Sequence, residues 1–346
     1  MASKNYLKVS NLQYGRELPL VDTAGSVMQM QPGSGRLIDR HGRHIRKLRV
    51  SLLDACNFRC FYCMPMKTRF MPVAQLLTSG EIERICASLV RLGIERIRIT
   101  GGEPTLRKDF DEIMSRLAKL PLDQFGVTSN GLRLKGHLEH LWSIGCHNLN
   151  FSLDSLQEER FERITFSKGF RRVLDTILAA RSMGFNVKIN TLLLKGRNDD
   201  EILDFVRFSA QEGIEVRFLE LMKIGVASNG QQELFMSADE ATGIISRRER
   251  LIPEEVELDS TSIAFRTESG ARIGFIASES RPFCGHCSRL RLTADGQLRA
   301  CLMAPSGFSI RGIPEEHLEE VVCQVIAQKP MERTVSTRNR MNQIGG

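Results

Sequence analysis

No apolar run in the 346-residue chain approaches the roughly 20 residues needed to cross a bilayer; Thr191 to Leu194, for example, is cut short by Lys195. No membrane span is expected. The opening MASKNYLKVS lacks an apolar stretch behind its basic residues, so no secretory signal is read there and the cytoplasm is the expected location. A block of Lys and Arg is missing too. The 48 basic and 41 acidic residues leave a net charge of +7 scattered along the chain, which calls for no nucleic-acid partner and suits a small anionic substrate. With 42% hydrophobic and 26% charged residues, the composition excludes a disordered or collagen-like chain. The length allows about two domains, or one barrel-sized domain with an extension. Nine cysteines are present, an odd number in a large chain without an export signal, which favours metal or redox chemistry over a disulfide framework.

From Lys47 onward, short β-branched runs alternate with segments of helical period. Strands are predicted at Leu48 to Leu52, Glu95 to Thr100, Phe125 to Ser129, Asn148 to Leu153, Asn186 to Leu193 and Glu215 to Leu221. Helices are predicted between them, the first opening at Thr78 or Ser79, and several stop at a glycine before the next strand. Six βα units in succession imply a parallel sheet with helices outside it. Six are too few to close an eight-stranded barrel, so the expected fold is α/β, a partial (βα)6 barrel. Beyond Ser237 a smaller α+β extension is expected to pack on it. The division reads as a lead-in over 1–40, a barrel over 41–236, an extension over 237–330 and a polar tail over 331–346.

Cysteine spacing carries the chemistry. Cys56, Cys60 and Cys63 stand in CNFRCFYC directly after the first strand. A four-thiolate zinc site would need a fourth ligand that this segment does not offer, whereas three thiolates suit an iron–sulfur cubane with one iron left open. The carboxyl end of a parallel strand is also where barrel enzymes place their chemistry. A second triad, Cys284, Cys287 and Cys301, spans CGHC and a segment that reads as a hairpin turning at Asp295-Gly296. Zinc bound as Cys3His through His286 stays open for this group. Cys86, Cys146 and Cys323 have no partners at ligand spacing and read as structural thiols.

The Cx3Cx2C spacing, with GGEP at Gly101 to Pro104, TSNG, SLDS, RFLELM, the second triad and a terminal Gly-Gly in this order, resembles the GTP 3′,8-cyclase family of the radical S-adenosylmethionine (SAM) superfamily, from about Leu37 to Gly346. The resemblance implies two [4Fe–4S] clusters and SAM. It implies GTP as substrate, converted through a 5′-deoxyadenosyl radical to 3′,8-cyclo-7,8-dihydro-GTP, the first step of molybdenum-cofactor biosynthesis. Tyr62, Gly102, Ser152 and Met222 match positions that contact SAM. Arg49, Arg98, Thr128, Lys188, Arg289, Leu290 and Arg291 match substrate-binding positions, and Gly345 and Gly346 match a tail that reaches the active site. A flavodoxin- or ferredoxin-type electron donor, cyclic pyranopterin monophosphate synthase downstream and a homodimer are the further partners it implies. A peptide-modifying radical SAM enzyme and a non-catalytic zinc protein are the alternative readings. The chain departs from the family pattern at Leu53-Asp54, Ser288, Lys223 and Phe166, the last standing where the family carries glycine after Ile-Thr.

Overall fold

Six βα units build the centre of the molecule, whose structure, a computed structural model, describes residues 36–333, 337 and 339–344. Strands β1 (Lys47–Ser51), β2 (Arg96–Thr100), β3 (Gln124–Ser129), β4 (Asn148–Ser152), β5 (Asn186–Leu192) and β6 (Glu215–Leu219) pair in sequence order, each parallel to the next. Helices α1 (Ser79–Arg91), α2 (Phe110–Leu117), α3 (Leu138–Ser143), α4 (Glu158–Thr165), α5 (Phe170–Ser182) and α6 (Ile202–Glu212) lie in the connections. Helix α1 shows how locally these starts are specified. Thr78 caps it by accepting from the Glu81 N–H while Glu81 accepts from the Thr78 N–H, a reciprocal pair that satisfies two otherwise orphaned donors. One predicted helix, Lys135 to Ile144, is shorter than expected: its first turn is a 3-10 turn over Leu134–His137 that contains Gly136, the residue with the least tendency to hold a helix interior other than proline.

The C-terminal third does more than pack on the barrel. After α7 (Gln231–Leu234) and α8 (Ala238–Ser246) come β7 (Leu251–Glu254), β8 (Ile263–Thr267), β9 (Arg272–Ile276), β10 (Arg289–Leu292), β11 (Gln297–Arg299), β12 (Phe308–Ser309) and α9 (Glu315–Ala327). Strand β9 joins β6 in parallel and β10 joins β1 in parallel, so the extension lengthens the sheet at both edges. The order is β12-β11-β10-β1-β2-β3-β4-β5-β6-β9-β8-β7, an unclosed sheet among the described residues. Sequence periodicity did not reveal β7 or β12. The former carries Pro253 and sits at an edge, where a missing N–H is tolerated; the latter is two residues long.

Alternation along the strands separates core from site. In β1, Leu48 and Val50 join the apolar layer under the helices while Arg49 faces the interior cavity, as the period of two requires.

Candidate functional site

One cavity of about 370 Å³ runs through the open barrel, and all six predicted ligand thiols line it. The first triad follows the carboxyl end of β1. The second begins before the amino end of β10, which runs parallel to β1 with Lys47 opposite Arg289. β11 is antiparallel to β10 and returns Cys301 to the same end. The triads therefore occupy opposite ends of the cavity, separated by the length of a five-residue strand, about 17 Å. Cys86 and Cys146 are buried elsewhere in the core.

At the first end, the loop carrying Cys56, Cys60 and Cys63 is pressed against the turn after β2. The Gly102 and Glu103 N–H groups donate to the carbonyls of Leu53 and Ala55 at 2.7 and 2.8 Å. A Cβ at Gly102 would stand 2.3 Å from the Ala55 carbonyl, so only glycine permits this approach. Fully buried Glu103 accepts from the Thr105 and Ser129 hydroxyls and from the Asn130 N–H, at 2.6, 2.8 and 2.7 Å, which ties the GGEP turn to the TSNG turn. The other side of the loop is fixed by the Arg59 and Phe61 N–H groups on the carbonyls of Thr165 and Ile164. Tyr62 donates to Asp154 at 2.5 Å, and Asp154 also accepts from the Leu192 N–H. Burial pushes Cys56 to about 11 and Cys63 to about 12, holds Cys60 well above its ordinary value, and lifts Asp154 to about 6. The chain's end returns here: Asn342 donates to the Asp54 carbonyl at 2.9 Å and its backbone N–H reaches the Cys63 sulfur.

The second end is cationic. Arg291, Arg49 and Arg98 stand in register on β10, β1 and β2. Burial first, then the charges of Arg291, Arg289 and Arg98, hold the Arg49 guanidinium well below its ordinary pKa. Burial and the charge of Arg289 bring Arg291 down to about 10. Such a group of like charges is costly to keep dry, and a bound polyanion relieves that cost. Burial alone would raise the Cys287 thiol, but Arg289 and Lys329 beside it bring it to about 6.

The donor set fits two cubanes. Each end offers three partly buried thiols, and N–H groups already approach the sulfurs: Phe58 to Cys56 and Met303 to Cys301, both at 3.4 Å, and Arg289 to Cys287 at 3.5 Å. Among the described residues no group of three or more His, Cys, Asp or Glu side chains is arranged for a single metal ion. His286 is exposed and does not line the cavity. Half-buried Asn190 and buried Asn342 line it, each with a buried side-chain oxygen that has no partner among the described residues, and unsatisfied polar atoms of this kind mark a space for a ligand.

Of the residues singled out from the sequence, Arg49, Tyr62, Gly102, Thr128, Ser152, Met222, Arg289 and Arg291 line the cavity with the six cysteines. Arg98 lies against the wall, its guanidinium held by the carbonyls of Val127 and Asn148 and by Asn150. Gly126 makes room for it, since a Cβ there would meet the Arg98 guanidinium at 2.8 Å. Lys188 pairs with Glu215 at 2.8 Å instead of lining the cavity, and Leu290 is buried in the apolar core. Gly345 and Gly346 lie outside the described residues. Sequence reasoning passed over Asn130, Asp154, Asn190, Arg217, Arg333 and Asn342, all on the cavity wall. Arg217 could have been found: it is a charge inside a strand flanked by helices, where an unpaired charge is costly.

An open parallel barrel with a cysteine triad after its first strand defines a radical SAM-type enzyme fold. The Radical SAM superfamily model matches residues 50–209, and the Molybdenum Cofactor Synthesis C model matches residues 214–335. A GTP 3′,8-cyclase of Synechocystis is 42% identical over 91% of this chain and 96% of its own, and one of Aquifex aeolicus is 38% identical over 82% and 91%. In fold, the chain is similar to Streptococcus suis SuiB bound to S-adenosylmethionine, with a TM-score of 0.59 at 14% identity over 84% of this chain and 68% of that one. The chain belongs to the GTP 3′,8-cyclase family of the radical SAM superfamily.

Proposed function

We infer that this chain converts GTP to 3′,8-cyclo-7,8-dihydro-GTP, with SAM at the first triad and the nucleotide at the second. The observation that carries the reading is the placement of both triads on one cavity with the row of arginines at the second end. When bound, the first cluster and SAM supply a 5′-deoxyadenosyl radical, and the second cluster supplies an open iron for the guanine.

The chain's own residues divide the remaining work. Tyr62, Gly102, Ser152 and Met222 are assigned to SAM, with Asp154 and Glu220 as the carboxylates on the wall and buried Glu103 holding the adjoining turn. A cationic cofactor suits that charge. Arg49, Arg289 and Arg291, with Arg217, are assigned to the triphosphate, because guanidinium forks bind phosphate oxygens in pairs. Thr128 faces the same space. Arg98 and Lys188, already engaged with wall groups, are assigned to shaping and charging the pocket behind these residues. Gly345 and Gly346, outside the described residues, are assigned to the reaction as the resemblance implies; the preceding Met341 and Asn342 line the cavity. The electron comes from a flavodoxin- or ferredoxin-type protein, and the product passes to cyclic pyranopterin monophosphate synthase, with the cytoplasm as the setting. Among the described residues no helix is long and apolar enough to cross a membrane.

The test is anaerobic turnover. Protein reconstituted with iron and sulfide, given SAM, reductant and GTP, yields 5′-deoxyadenosine and the cyclised nucleotide together. Protein that carries both clusters and cleaves SAM but leaves GTP unconsumed would reject the assignment.

A further inference from the structure

Lys329 is a buried charge that neither the SAM nor the GTP assignment uses. It is 1% exposed, and its partners among the described residues are two carbonyls and a thiol, with no carboxylate among them. Its ammonium donates to the Arg289 carbonyl at 2.6 Å and to the Ala300 carbonyl at 2.8 Å, with the Cys287 sulfur as a third neighbour. Those partners account for the three donors that a lysine has. They lie two residues beyond Cys287, immediately before Cys301, and at Cys287 itself. The segment around Lys329 is in turn bound to Cys284. Arg43 donates to the carbonyls of Cys284, Lys329 and Pro330 at 2.6, 3.1 and 2.8 Å and is held by Asp39 at 2.6 Å. Two buried cations thus tie together all three stretches that carry the second triad.

A lone buried ammonium is unfavourable unless an anion faces it. A cubane held by three thiolates is such an anion, and local charge and hydrogen bonds to the sulfurs set a cluster's potential. We propose that Lys329 is a positioning residue for the second cluster: it fixes the Cys287 and Cys301 segments and raises that cluster's reduction potential by holding a positive charge against its sulfurs. At the first triad the neighbouring cation is Arg59, half-buried and donating to the carbonyls of Cys56 and Phe58; Lys329 stands at the other end of the cavity, a strand's length of about 17 Å away, so its effect falls on the second cluster. This rests on the two-cluster reading of the site.

The experiment is an anaerobic redox titration followed by electron paramagnetic resonance on the full chain, as wild type, Lys329→Met, Lys329→Gln and Lys329→Arg, with iron and sulfide counted in each. In the neutral variants the reduced-to-oxidised ratio of the second cluster at fixed potential falls about tenfold, a shift of about 59 mV for one electron, while the first cluster stays in place. Lys329→Arg, which keeps the charge, restores the wild-type potential. Failure of both neutral variants to load the second cluster, with four irons still on the first, also supports the positioning role. An unchanged second potential, an equal shift of both clusters, or equal loss of iron from both overturns it. A wild-type protein that holds only four irons would instead overturn the two-cluster reading.

Discussion

The two ends of the cavity use the same ligand set, three cysteines, in opposite electrostatic settings. Around the first triad burial raises Cys56, Cys60 and Cys63, with Glu103 and Asp154 adding to the rise and Arg59 opposing it at Cys56. At the second triad burial raises Cys284 as well, but Arg289 and Lys329 offset it at Cys287 and bring that thiol to about 6. The contrast teaches which ligand each end accepts. A carboxylate-bearing end favours the ammonium and sulfonium of SAM, and an arginine-bearing end favours a triphosphate. The supports differ as well: backbone contacts from the GGEP turn and from residues 164–165 hold the first loop, whereas the buried side chains of Arg43 and Lys329 hold the second.

Exchanging a ligand at each end gives the largest expected effect. Cys63→Ala abolishes SAM cleavage, whereas Cys301→Ala retains slow uncoupled cleavage and loses cyclisation; both are read by chromatography of deoxyadenosine and nucleotide products. Equal loss of both activities in Cys301→Ala would erase the division between the ends. Next come the cations. Arg49→Met removes a charge-assisted bond worth about 1.5–3 kcal/mol, so GTP binding weakens about 10- to 150-fold by calorimetry while SAM binding changes little. Arg217→Ala has the same direction and a smaller effect, about tenfold.

Thiol reactivity sharpens the contrast without any cluster. In metal-free protein Cys287 is mostly thiolate at pH 7, because its pKa is about 6, while Cys56 and Cys63, at about 11 and 12, are still thiols. The thiolate is the nucleophile, so iodoacetamide should modify Cys287 with half-maximal rate near pH 6 and reach the first triad only in strong base. Peptide mass spectrometry across pH reads this, and equal labelling of all six would contradict it. The smallest effect concerns the support of the first loop. Phe166 caps α4 in the left-handed conformation at φ +52° and is exposed, a geometry that costs a side chain roughly 1–2 kcal/mol. Phe166→Gly should raise stability by about 1 kcal/mol, less the entropy glycine adds to the unfolded chain.

Much of this was legible in the sequence because local rules agreed with the fold. The βα alternation, the Thr78 cap and the Asp295-Gly296 hairpin all concern neighbouring residues. Cysteine spacing marked both triads, and the match to family positions marked Arg49 and Arg98. What escaped depends on distant pairing. That β9 and β10 extend opposite edges of one sheet follows from chain crossing, which periodicity does not encode. Lys188 matched a family motif, but its pairing with Glu215 is a contact between strands. Lys329 reads as an ordinary surface lysine near the end of α9 until the fold places carbonyls from two other segments around it.

The most direct test of two unlike clusters sharing one cavity is an iron and sulfide count with an electron paramagnetic resonance spectrum of anaerobic protein, taken before and after adding GTP. The account predicts eight irons and eight sulfides per chain, with nucleotide altering one cluster's signal and Cys301→Ala removing that response. Four irons, zinc in place of iron, or two signals indifferent to GTP would contradict it.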